Sequence, residues 1–129
     1  MPCSLCGTRA DFWLSDADRE YWSCPCCALI FVPARYFLSR DEEKKRYLLH
    51  ENSLANEGYV KMFQDKIRIL RSACPGVRTA LDYGCGYAPV LQTLLRREGI
   101  RTDVYDSMFY PEMPAPAAYD LVISTETFE

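Results

Sequence analysis

Four cysteines at fixed spacing constrain the start of this chain more than any other feature. Cys3-x-x-Cys6 and Cys24-x-x-Cys27 together read C-x2-C-x17-C-x2-C. Each pair on a tight turn aims two thiolates at one point, and two such turns complete a tetrahedron around a metal ion. Gly7 gives the first turn the backbone freedom it needs, whereas Ala28 stands at the equivalent place after the second. Cys24-Pro25-Cys26-Cys27 offers three thiols, and the two-residue gap of the first pair assigns Cys24 and Cys27 as ligands. The competing reading, buried or redox-active thiols, would stay open for a single Cys-x-x-Cys. Two pairs at this spacing favour zinc, held structurally because four thiolates leave no position for water.

A module of about forty residues buries too little apolar surface to fold unaided, so a metal is physically useful here. The chain has seven cysteines, and its start, Met-Pro-Cys-Ser-Leu-Cys, is neither basic nor apolar. Without a secretion signal, such cysteine usage favours metal over disulfides. No apolar run approaches the roughly 18 residues of a membrane span, and the expected location is cytoplasmic. Asp11–Leu14, Glu20–Trp22 and Leu29–Val32 read as short strands, with a turn over Ser15–Asp18 and a stop at Pro33. Residues 1–38 are therefore expected to form a small β module.

Residues 39–76 read as a helical connector or lid. Ser39-Arg40-Asp41-Glu42 matches a capping box, predicting a helix to about His50. A loop over 52–58 precedes a second helix from about Asn56. Tyr59, Phe63, Ile67 and Leu70 recur on one face of it, and Cys74-Pro75-Gly76 ends it. His50, the only histidine, reads either as a general base or cofactor contact, or as an exposed or structural helix-end residue. Tyr47 either closes over a ligand or packs a helix face.

From residue 77 the order is strand (79–83), tight loop (84–87), helix, strand (102–106), proline-broken loop, strand (119–124). The loop carries Pro111, Pro114 and Pro116. Pro89 suits a first helical position, Leu91, Leu94 and Leu95 its buried face, and Gly99 its end. Alternation of strands with helical or loop connections predicts a parallel α/β sheet.

The loop Asp82-Tyr83-Gly84-Cys85-Gly86 follows a strand and opens a helix, where glycines let the backbone approach a bound nucleotide closely. Asp106 ends the next strand, at a distance along the chain that suits an acid accepting from ribose hydroxyls. Two dinucleotide features are missing. Pro89 occupies the place of the third Rossmann glycine, and Asp82 would lie too close to a pyrophosphate. An acid there suits the cationic amino group of S-adenosylmethionine instead.

Asp82-x-Gly84-x-Gly86 resembles the first motif of class I methyltransferases. Asp106 resembles their ribose-binding acid, and Tyr119–Glu126 resembles their fourth strand and the motif after it. The whole chain is similar to a bacterial group in which an N-terminal zinc ribbon is fused to such a domain. In that group a segment like Glu43-x-x-Arg46-Tyr47-x-x-His50-x-Asn52 precedes the glycine loop. The resemblance implies a zinc ribbon over 1–38 and the first half of a Rossmann-like methyltransferase sheet over 77–129. It implies that Asp82 meets the methionine amino end and that Gly84, Cys85 and Gly86 line the cofactor. Asp106 would hold the ribose, with Thr125 and Glu126 near the transferred methyl. Ala88 departs from the group, which usually has a third glycine there. Glu126 has a second reading, as an acid capping a further helix.

The resemblance covers about half of a methyltransferase domain, so a truncated domain is expected, with its next helix due near Glu129. Three strands would leave an unpaired edge and apolar surface, suggesting either marginal stability or a homodimer, and no methyl transfer by a monomer of this length. The net charge is −3 and the last fifty residues are more acidic than the first, which disfavours nucleic acid as a partner. Lysine and arginine concentrate between Lys44 and Arg71, with acids at helical spacing that mark a solvated helix face. The expected acceptor is therefore a small molecule. The alternative is a non-catalytic zinc-ribbon binding module whose α/β part is only a scaffold. No catalytic residue is assigned, since methyl transfer needs little beyond alignment of the nucleophile with the sulfonium methyl.

Overall fold

In the computed structural model, which describes residues 1–115 and 118–128, the first strands form a tight antiparallel hairpin. The strands β1 (Asp11–Asp16) and β2 (Arg19–Ser23) pair from Asp11↔Ser23 to Asp16↔Arg19. Each therefore runs further than the alternation of residue types suggests, and the turn shrinks to Ala17 and Asp18. The Ser15 hydroxyl donates to the Arg19 carbonyl at 3.2 Å and Ala17 takes a positive φ of 47°. A register shift between Phe12 and Leu14 bulges β1 at Trp13. The third strand, β3 (Ile30–Phe31), adds to β2 and stops before Pro33, after which Ala34–Tyr36 makes one 3-10 turn. The apolar centre of this sheet is small: Cys3, Ala10 and Cys24 are buried, with Trp22, Leu29 and Phe31 packed against them.

The chain divides into two compact units, Met1–Glu42 and Glu43–Glu129. The division falls within helix α1 (Arg40–Tyr47). The capping box forms as read: the Ser39 amide donates to the Glu42 carboxylate at 2.9 Å, and the Glu42 amide donates to Ser39 Oγ at 3.4 Å. The helix ends at Tyr47, short of the expected His50. At Leu49 and His50 the amides bond three residues back, to Arg46 and Tyr47, so the last turn tightens out of α geometry.

In the second unit α2 (Glu57–Ala73) begins where Asn56 Oδ1 accepts the Tyr59 amide at 3.0 Å. Phe63 and Ile67 on its inner face are buried, and Tyr59 and Leu70 pack beside them. Its outer face carries the exposed pairs Lys61–Asp65 and Arg68–Asp65, each worth a few tenths of a kcal/mol. Strand β4 (Thr79–Tyr83) leads into α3 (Val90–Arg97), for which Pro89 is the cap residue rather than the first helical one. The buried face of α3 is Val90, Leu91, Leu94 and Leu95. Its end is a Schellman motif: Gly99, at φ 81°, donates to the Arg96 carbonyl, and Ile100 reaches back to Leu95 at 3.0 Å. Leu95 and Ile100 are both buried, closing the apolar contact that this motif favours.

The strands β5 (Arg101–Tyr105) and β6 (Leu121–Ile123) flank β4 in a parallel sheet of order β5-β4-β6. The strand β5 is as long as the run 102–106 but begins and ends one residue earlier, and β6 is shorter than the run 119–124. Asp106 leaves β5 to bridge with Tyr110, and Ser124 Oγ turns to the Tyr83 carbonyl at 2.9 Å. Asp120 fixes β6 against β4 by accepting from the amides of Arg78 and Thr79, both at 2.9 Å. Gln92 and Arg96 of α3 both donate to the Thr102 carbonyl, tying helix to strand. Ala80, Leu121 and Ile123 belong to the core built with α2 and α3. Val122 points the other way and is 59% exposed, and β6 has no second partner strand among the described residues. Pro116 and Glu129 lie outside the described residues. Among those described, no helix is long and apolar enough to cross a membrane.

Candidate functional site

The two Cys-x-x-Cys turns have the same backbone construction. The Cys3 amide donates to the Thr8 carbonyl at 2.8 Å and the Gly7 amide to the Cys3 carbonyl at 3.0 Å. In the second turn Cys24 donates to Leu29 and Ala28 to Cys24, both at 2.9 Å. Both turns need a left-handed residue, supplied by Gly7 at φ 74° and Ala28 at φ 59°. Ala28 therefore carries a steric cost that Gly7 does not.

These turns bring the sulfur atoms of Cys3, Cys6, Cys24 and Cys27 within 4.8 Å of one another. The closest pairs each join one thiol from each turn, Cys3 with Cys27 at 3.6 Å and Cys6 with Cys24 at 3.5 Å. A tetrahedral ion with arms of about 2.3 Å needs edges of about 3.8 Å, so the cluster fits a four-sulfur structural metal site. Cys26 is exposed and outside it, and all seven cysteines are free thiols. The amides of Cys6 and Leu5 donate to Cys3 Sγ and lower its pKa against the opposing effect of burial. Hydrogen bonds from the Thr8 hydroxyl and then its amide bring Cys6 down to about 6. At Cys27 a hydrogen bond from the Leu29 amide acts in the same direction, but burial and the three neighbouring thiols outweigh it and push the group up to about 12. The rise at Cys27 follows from the crowding: thiols this close cannot all ionise without a cation between them.

In the second unit the carboxyl ends of the strands open into a cavity of about 400 Å³. It lies where the strand order reverses about β4, the usual place for ligands on an open parallel sheet. Asp82, Gly84, Cys85, Gly86, Asp106, Thr125 and Glu126 all line it. So do Tyr47 at the end of α1, His50 and Asn52 from the segment after it, and Tyr59 and Phe63 from α2.

Asp82 is 4% exposed at the end of β4, and no protein donor reaches its carboxylate among the described residues; its oxygens face the cavity instead. Burial first, and the Asp106 charge second, push its pKa up to about 6. Asp106 is the reverse case. One oxygen accepts the Gly86 amide at 3.0 Å, and the other accepts the amides of Met108 at 2.8 Å and Phe109 at 3.0 Å. The acid read from sequence as a ribose contact thus first holds two loops together. The glycine loop is pinned a second time by the Gly84 and Cys85 amides, which donate to the Tyr105 carbonyl at 2.7 and 3.2 Å. Gly84, at φ 82°, has no alternative, because a Cβ there would lie 2.1 Å from Thr127 Oγ1. Glu126 is a non-glycine residue at φ 54°, a strained conformation on the cavity wall. Burial pushes the Cys85 thiol up to about 12, with Asp82 and Asp106 adding to the shift, so it acts as a small neutral wall residue.

No protein-family model, curated protein or solved structure matches this chain. The chemistry of the cavity therefore rests on its own residues. The described lining has four acids, Glu43, Asp82, Asp106 and Glu126, and neither lysine nor arginine. Such a wall repels phosphates and carboxylates and attracts a cation. Its aromatic side chains add π faces: Tyr83 and Tyr105 lie tilted by 31° with centroids 5.0 Å apart, and Tyr59 meets Phe63 edge-on at 4.8 Å.

Sequence reading did not single out Phe109, which lines the cavity, or Tyr87, whose ring meets it edge-on, and it took Tyr59 only as a core residue. Burial raises the Tyr59 pKa, with Asp82 and Glu126, which line the same cavity, contributing next. A phenol at an apolar position in the first turn of α2 has no sequence pattern that separates it from packing.

Proposed function

We propose that the cavity binds S-adenosylmethionine and that the chain serves methyl transfer to a small-molecule acceptor. The observation that carries this reading is Asp82, a buried carboxylate without a protein donor, in a cavity free of lysine and arginine. A buried ionised carboxylate is costly unless a ligand cation or donor satisfies it. The amino group of S-adenosylmethionine is such a donor, whereas the pyrophosphate of a dinucleotide would meet repulsion. The cofactor supplies an electrophilic methyl group on a sulfonium.

The residues present divide the work. Asp82 accepts from the ammonium end, and the backbone of Gly84, Cys85 and Gly86 gives close approach along the cofactor. Asp106 keeps both loops in place, and its two oxygens retain acceptor capacity for a ribose hydroxyl beyond the three amides. Thr125 and Glu126 border the acceptor side. The parallel sheet is then the first half of a Rossmann-like class I methyltransferase domain, and the N-terminal unit a zinc ribbon. The four-sulfur donor set suits zinc among the common divalent ions.

Calorimetry of the full chain with S-adenosylhomocysteine and, separately, with NAD tests this. The reading expects heat of binding for the first and none for the second. A preference for NAD, or binding of neither, overturns it.

A further inference from the structure

We infer that Tyr87 is the latch of a lid, residues Glu43–Asn52, that closes the outer side of the cavity. The lid brings Glu43, Tyr47, His50 and Asn52 to the cavity wall, yet α1 has no buried residue to anchor it. Its apolar side chains stay largely in solvent, Leu49 at 81% exposure. A segment with so little burial is held by specific bonds, and it opens at low cost when those are lost.

The bonds converge on one phenol. Tyr87 Oη donates to the His50 carbonyl and accepts the Asn52 amide at 3.2 Å, joining positions 37 and 35 residues apart in the chain. Both the donor and an acceptor site of the hydroxyl are thereby used. Tyr87 is itself fixed from the far side, since the Tyr110 hydroxyl donates to its carbonyl at 3.2 Å and its ring meets Phe109 edge-on at 6.0 Å. Phe109 also takes the Lys44 ammonium over its face at 5.5 Å. Asp106 holds the Gly86 and Phe109 amides, so the element that shapes the cavity floor also positions the latch. A ligand that orders the glycine loop and the loop over 107–109 therefore orders Tyr87, and with it the lid.

The mechanical part of this inference stands on the hydrogen bonds alone; only the identity of what the lid covers rests on the cofactor reading above. Tyr87→Phe keeps the ring and removes the hydroxyl, and Lys44→Met removes the second tether. Amide hydrogen exchange on the full chain, without ligand, is expected to rise in Tyr87→Phe over 48–53 alone, with a smaller rise in Lys44→Met. Exchange unchanged at 48–53, or raised across the whole second unit, overturns the latch. With S-adenosylhomocysteine as probe, Tyr87→Phe is expected to raise the dissociation rate about ten-fold with little change in association, the scale of one or two lost hydrogen bonds. An unchanged dissociation rate with faster exchange at 48–53 would mean that the segment opens without covering the ligand, and would overturn the lid. Failure of the unaltered chain to bind the probe would refute the cofactor reading, while the exchange comparison still decides the latch.

Discussion

The Asp106 carboxylate accepts the Gly86 amide at 3.0 Å, so the acid that ends one strand holds the loop that ends its neighbour. Its other oxygen takes two further amides, at Met108 and Phe109. Asp106→Asn replaces one acceptor with a donor and removes the charge behind all three bonds. The expected result is a loss of about 1.5–3 kcal/mol of stability, the scale for hydrogen bonds to a charged group. Urea unfolding of the apo chain checks it, and an unchanged midpoint would assign Asp106 to ligand contact alone.

Asp82 predicts a pH dependence of the opposite sign to that of a paired carboxylate. Its folded pKa, about 6, lies above the ordinary carboxyl value of 3.8. Between these values the folded state binds more protons than the unfolded one, so stability falls as pH rises from about 4 to about 6. Above that range the apo chain carries this charge on the cavity wall, largely desolvated and with no protein donor. Asp82→Asn should flatten this slope and stabilise the apo chain near neutral pH by on the order of 2 kcal/mol. Denaturant melts at several pH values decide it. A slope that survives the substitution would point to another group.

Much of this arrangement is legible in the sequence, where local chemistry dictates it. Metal ligation demands paired thiols on turns, so the cysteine spacing already selects the four sulfurs that converge and sets Cys26 aside. Steps of three and four residues mark the inner face of α2, and Gly99 marks the end of α3. The rest depends on contacts across the chain. Nothing near Tyr87 indicates that its hydroxyl meets the backbone at 50 and 52. Asp106 looks like a free ligand contact until the fold brings three amides to it. The terminal residues of β6 were unreadable for a similar reason, because Ser124 leaves the strand to bond Tyr83.

Ala28 holds a left-handed conformation, φ 59°, that glycine adopts without strain. Ala28→Gly should stabilise the metal-loaded N-terminal unit by about 1 kcal/mol, and Gly7→Ala should destabilise it by a similar amount. Thermal melts of the zinc-loaded chain test both. Equal melting temperatures would mean that the two turns are not equivalent in solution.

Zinc is expected at one ion per chain, with chelation unfolding the hairpin unit because its apolar core is small. Cys26→Ser should leave the stoichiometry unchanged, and Cys27→Ser should lower affinity steeply. Metal analysis of the purified variants reads this directly. Loss of zinc from Cys26→Ser would mean that the exposed thiol, not its neighbour, is the ligand.

The central claim is that the orphan carboxylate of Asp82 awaits a ligand's ammonium group. Calorimetry with S-adenosylhomocysteine and with its analogue lacking the amino group, on the unaltered chain and on Asp82→Asn, tests it most directly. The unaltered chain should prefer the parent ligand by about 1.5–3 kcal/mol, and Asp82→Asn should bind the two almost equally. Equal affinities in the unaltered chain, or a preference that persists in Asp82→Asn, would contradict the account.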